Sequence, residues 1–197
     1  MKQEMVGRFM AMFAGILLAT VTSVYANHTA IGQGTYAVDV DPPVSAEFHF
    51  VVAKRGPDRK LTPGVNFVQS AIEQKSGAMS FQTVMISTAI AFTIPREESA
   101  ERTVTIVGEM VATTFLDVGS KRQTFAELVR FTAIGTDKQS ATDPDFFFLE
   151  VKYSASQEQG PLLESLGFAD CKRGTCTMTL QGPVKTGDIF VHTASGG

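Results

Sequence analysis

A chain of 197 residues, 44% hydrophobic and 19% charged, is globular in type and at that length is expected to form one domain. A net charge of −3, with no basic run interleaved with aromatics, argues against the nucleic-acid modules and gives no reason to expect an anionic membrane as partner. Only two cysteines and three histidines are available for thiol or imidazole chemistry.

Residues 1–26 read as a signal peptide. Lys2 and Arg8 outweigh Glu4 in a short basic start, an apolar run follows from Phe9 to Val24, and Val24-Tyr25-Ala26 is a small-x-small cleavage site before Asn27. The run is short for a membrane helix of ~20 residues and has no basic flank after it. The mature chain is therefore expected to be secreted or periplasmic, with no membrane span after cleavage. A retained N-terminal anchor is the alternative.

Residues 27–44 are expected to be a polar, Gly-rich arm with one short strand from Thr35 to Val40, stopped by Asp41-Pro42-Pro43. A single β domain is expected over residues 45–193, and a frayed tail over 194–197. Ser45–Lys54 alternates clearly, with Phe48, Phe50 and Val52 on the core face and Glu47 and His49 on the other. The basic turn Arg55–Lys60 follows. The next segment, from Thr62 to Gly77, has spacing that suits either a helix or a strand. Met79–Ile94 is longer than a usual strand, which predicts a bulge or bend. Thr103–Thr114 is a further strand, with Gly108 at a bulge or a close backbone approach. The clearest pair runs from Thr124 to Tyr153: Phe125, Val129, Phe131 and Ala133 share one face, as do Phe147, Leu149, Val151 and Tyr153. Pro161 and Gly167 would frame one or two helical turns. Cys171–Leu180 is expected to be a hairpin arm and Gly187–Thr193 the last strand.

Cys171 and Cys176 enclose Lys-Arg-Gly-Thr, a spacing that suits a structural disulfide across a turn in an exported chain. A redox pair would normally have two intervening residues, and zinc needs ligands that the neighbourhood lacks. Asp137, Asp143 and Asp145 gather in one loop, where extracellular domains hold calcium through six to eight oxygens; turn initiation is the simpler role. Glu47 and His49, at i and i+2 on one face, are the candidate ligand-facing pair. No GxSxG elbow, HExxH, Walker loop or GxGxxG occurs, so no catalytic residue and no cofactor is assigned, calcium aside.

Ala46–Gly56, Thr103–Gly108 with Val129–Ile134, and Gly187–His192 together resemble the post-COAP family of β-rich modules in bacterial secreted proteins. The resemblance spans about residues 45–193. It departs from the family pattern in lacking Trp, and Phe146–Lys152 lacks the basic-aromatic alternation. It implies a non-enzymatic accessory module, with no catalytic residues to assign.

Taken together, the residues predict an all-β chain, an antiparallel sandwich or partly closed barrel of about eight to ten strands with at most one short helix. The expected function is a non-catalytic module that binds an extracellular or envelope protein or a polymer. The alternative is a barrel that carries a small apolar ligand among Phe48, Phe50, Phe81, Phe92, Phe131 and Phe147. An enzyme using Glu47, His49 or the acidic loop ranks third.

Overall fold

The computed structural model describes residues 26–38, 44–55, 60–61, 66–76, 79–95, 101–140, 142–154 and 169–193. Residues 1–25 of the expected signal peptide, the helical turns expected at Pro161–Gly167, most of the basic turn and the tail lie outside the described residues. Alternation of apolar and polar residues becomes ten strands: β1 (Ala26–Val38), β2 (Val44–Arg55), β3 (Lys60–Leu61), β4 (Phe67–Ser76), β5 (Met79–Thr93), β6 (Arg102–Val118), β7 (Lys121–Asp137), β8 (Phe146–Ser154), β9 (Ala169–Lys172) and β10 (Thr175–Thr193). No helix occurs among the described residues, and none there is long and apolar enough to cross a membrane.

All pairings are antiparallel. The order β1-β10-β8-β7-β6-β5-β4-β2 returns to its start because β2 also pairs β1, so eight strands form a closed barrel. β3 adds to β2 and β9 to β10. Closure removes most free strand edges, and it selects the barrel over the sandwich. Even positions of β2, among them Ala46, Phe48, Phe50 and Val52, point into the core, as do odd positions of β7 and β8. The outer wall carries Glu47, Glu109, Arg130, Glu150 and Lys152, the reverse of a barrel whose wall meets lipid.

Two expectations need correction, and one open alternative is resolved. The segment beginning at Asn27 is not a loose arm with a strand at Thr35–Val40: Ala26–Val38 is one 13-residue strand that closes the barrel on both sides. The ambiguous stretch after the basic turn contains strand β4, not a helix. The hairpin arm and last strand are one strand, β10, which spans 19 residues. Other features match. β5 shifts register between Ser87 and Ala89, as its length predicts, and a Cβ on Gly108 would lie 2.0 Å from the Ala89 carbonyl oxygen.

Cys171 and Cys176 form a disulfide between directly opposed positions of β9 and β10. A loop this short is expected to contribute roughly 2 kcal/mol by restricting the unfolded chain. Replacing both cysteines with serine should lower the unfolding free energy measured by urea titration by that amount and leave the far-ultraviolet circular dichroism unchanged.

Candidate functional site

The six phenylalanines named above are all buried. Phe48 and Phe147 stack with centroids 4.2 Å apart, Phe50 stacks on both, and Tyr36 meets Phe48 and Phe147 edge-on. β2 and β7 stand diametrically opposite in the ring of strands, yet Phe50 on β2 reaches across to β7. Its Cζ lies 2.9 Å from where a Cβ on Gly135 would sit, and its Cε1 lies 2.3 Å from where one on Gly32 would sit. The two glycines leave room for that ring. At this level the interior is a solid core rather than a cavity, as eight-strand barrels permit.

Further along the interior are buried hydroxyls. Thr83 and Thr114 hydrogen-bond each other at 2.9 Å, and Ser70 donates to the Glu47 carbonyl at 2.9 Å. The Tyr36 hydroxyl, with Ser70 as its polar neighbour, closes no hydrogen bond of good geometry, and burial pushes its pKa far up, so it stays neutral.

Glu47 and His49 do share the outer face of β2, but they are not brought together as a carboxylate–imidazole pair. His49 packs edge-on against Phe67 at 4.8 Å, and partial burial lowers its pKa. The acidic loop is likewise committed to backbone. Asp137 accepts from the Gln139 and Val191 amides at 2.9 and 3.1 Å, and Asp145 from the Lys138 and Ile189 amides at 3.0 and 2.7 Å. The Asp145 carbonyl also takes the Val184 amide at 2.8 Å. Asp145 therefore clamps the bulged part of β10 from both sides. Asp143 stays in the exposed loop, its amide on Ser140. Among the described residues no three His, Cys, Asp or Glu side chains converge on a metal position, and all four oxygens of Asp137 and Asp145 receive N–H donors. The geometry of these bonds is that of strand-end pinning.

Asp188, which the sequence reading passed over, completes this cluster. Its pKa is raised by burial, then by a hydrogen bond and charge repulsion from Asp145, with Asp137 adding to the repulsion. Lys138 pairs outward with Glu101, and Arg102 donates to the Val191 carbonyl, so neither cation fully offsets the three carboxylates. The folded state holds this proton more tightly than the unfolded chain does. The associated stability is thus complete in acid and is lost as pH rises through the raised folded value. Asp188→Asn keeps a donor toward Asp145 and cannot ionise. It is expected to raise the melting temperature at pH 7, with the gain vanishing below the ordinary Asp range; thermal melts across pH measure this directly.

The outer wall of β5–β7 is the least expected surface. Ile86 pairs Val111, and Val111 pairs Leu128, so three large apolar side chains form one transverse row. They are 51%, 38% and 57% exposed. The adjacent row, Ala71–Val84–Thr113–Ala126, is also uncharged. Glu109 and Arg130 border the patch on one side, and the Asp117–Arg122 pair, bonded twice at 2.7 Å, lies beyond it on the other. Next to Arg130 is an open hollow of about 300 Å³, lined by Val107, Thr132, Glu150 and Lys152, where Lys152 pairs Glu150 at 2.8 Å. β7 also extends beyond β8. Pairing with β8 ends at Arg130–Lys152, while pairing with β6 continues to Lys121. Residues 121–129 thus have a strand partner on one side only among the described residues.

Comparison with protein-family models, curated proteins and solved structures finds no match.

Proposed function

We propose that the chain is an exported, non-catalytic binding module that takes a protein partner on the outer wall of β5–β7. The observation that carries this reading is the Ile86–Val111–Leu128 row. Large apolar side chains scattered singly need no explanation, but three in register with a polar rim of both signs have the anatomy of an interface centre. The filled cross-section at Phe48, Phe50 and Phe147 supports an outer site over an inner one. The non-catalytic reading is supported by what the polar groups do: Asp137 and Asp145 hold backbone amides, and His49 rests on Phe67. Export is supported by the N-terminal sequence and by the Cys171–Cys176 disulfide, which persists in an oxidising compartment.

The test is capture of a partner from the host's envelope and medium on immobilised protein, followed by titration of that partner. Ile86→Lys with Leu128→Lys should weaken binding at least tenfold without changing the melting temperature, since both side chains are half exposed. Undiminished binding by the doubly substituted protein would refute the site.

A second reading, a carrier of a small apolar ligand, is favoured by the closed eight-strand barrel and by the Tyr36 hydroxyl, which could orient a polar headgroup. It requires the Phe48–Phe50–Phe147 stack to part. A titration with fluorescent fatty acid that shows no saturable uptake removes it.

A further inference from the structure

The edge of β7 at 121–129, which among the described residues has a strand partner on one side only, has its own chemistry beside the apolar row. From Lys121 to Leu128 every residue is exposed except Phe125 and Glu127, which are half-buried. The stretch contains no proline and no bulge, and its register with β6 is unbroken down to the Gly119–Ser120 turn. Backbone donors and acceptors along such an edge form a template for another strand. The charges on it are unevenly placed: Lys121 lies at one end, Glu127 near the other, and both project to the same side of the strand, as the two-residue repeat dictates.

We infer that the protein forms a two-fold dimer in which the β7 edges of two copies pair antiparallel about Thr124, setting Lys121 of each copy opposite Glu127 of the other. A two-fold axis normal to the sheet preserves its faces, so directly opposed residues must have the same parity. Pairing centred on Thr124 meets that condition and matches opposite charges twice, once at each end. Shifting the centre to Phe125 would set Lys121 against Val129 and Glu127 against Gln123, losing both charge pairs. Shifting it to Gln123 would set Glu127 against Gly119 and Lys121 against Phe125. The sequence of the edge therefore selects one register. Self-pairing also covers an edge that no described strand covers. Glu127 already receives the Ser154 amide, which fixes its carboxylate where β8 stops and the free edge begins. Arg122 is held by Asp117 across the hairpin and by the Phe115 ring, so it does not compete for Glu127.

This dimer is separable from the partner site proposed above through Ile86 and Val111, which are not part of the edge, although Leu128 belongs to both surfaces. Sedimentation velocity and native mass spectrometry of the full chain, from about 1 to 100 µM, test it. The wild type is expected to reach a dimer. Lys121→Glu, a fully exposed change at the hairpin tip, should weaken it by about tenfold or more, because two carboxylates then oppose each other at both ends. Combining Lys121→Glu with Glu127→Lys should restore it, and Ile86→Lys alone, on β5 and off the edge, should leave it in place. A wild type that stays monomeric throughout, or a dimer indifferent to Lys121→Glu, overturns the inference. So does a charge-swapped chain that melts like the wild type yet remains monomeric. Slow amide exchange along 121–128 in a monomer would also overturn it, since the chain itself would then cover the edge.

Discussion

Phe50→Ala is expected to lower the stability of the fold by roughly 4 kcal/mol, the largest effect of any single side-chain truncation proposed for this chain. Phe50 is fully buried, stacks on Phe48 and Phe147, and reaches the opposite wall at Gly135. Truncating it removes the transfer free energy of the ring and leaves a void that neighbouring strands cannot close, because each is pinned in its ladder on both sides. The melting temperature should fall by about 12 °C, at about 3 °C per kcal/mol for a domain of this size. A second readout separates a filled interior from a pre-existing pocket: the void is apolar and should admit benzene or xenon. The variant should be stabilised by benzene while the wild type is not. A loss below about 1 kcal/mol would mean that the ring borders open space instead of filling it.

Gly187→Ala is expected to cost roughly 3 kcal/mol, through backbone rather than side-chain contacts. Gly187 has φ of +90°, which L side chains rarely adopt, and a Cβ there would lie 1.9 Å from the Gln33 carbonyl oxygen and 2.7 Å from the Gly34 Cα. Its partner in the β1–β10 seam is Gly34. Unlike a flexible side chain, a carbonyl in a two-sided ladder cannot swing away, so the seam itself must open. The expected signature is faster amide exchange along Ala30–Tyr36 and Val184–Val191, the strands that close the barrel, alongside the lower melting temperature. A variant as stable as the wild type would show that the seam is not held so tightly.

How far the sequence discloses this molecule depends on how local each feature is. The Phe48–Phe50–Val52 alternation and the pair around Phe131 and Phe147 are written in consecutive residues, and they become the strands expected of them. Cys171 and Cys176 are near neighbours and form the expected disulfide. β1 is different. His28, Thr29, Gly32, Gln33 and Gly34 read as a loose arm because their burial is decided elsewhere: Gly32 is there to clear the Phe50 ring, and Gly34 lies against β10. β10 likewise contains Gly182, Pro183 and Gly187, which locally signal a turn, whereas Asp145 from a distant loop holds that bulge in line. Closure of the barrel depends on the first long strand meeting the last, and no short window of sequence encodes it.

The candidate sites follow the same division. Asp137 and Asp145 are visible as an acidic loop, but their role as clamps depends on the amides of Val191 and Ile189, and the matching Asp188 lies in another strand. Glu47 and His49 share a face as the two-residue period requires, yet what the imidazole touches is Phe67 from β4. Ile86, Val111 and Leu128 sit in long apolar stretches that look like core. Only the registers of β5 on β6 and β6 on β7 put them in one row on the outside.

The most direct test of the central claim, a solid barrel that binds through its outside, is native mass spectrometry of the protein purified from its own host without denaturation. The account predicts the mass of the chain with one disulfide, singly or as a dimer, carrying no small molecule. A stoichiometric apolar adduct that departs only on unfolding would contradict it and would make the interior, with Tyr36 at its polar point, the working part of the molecule.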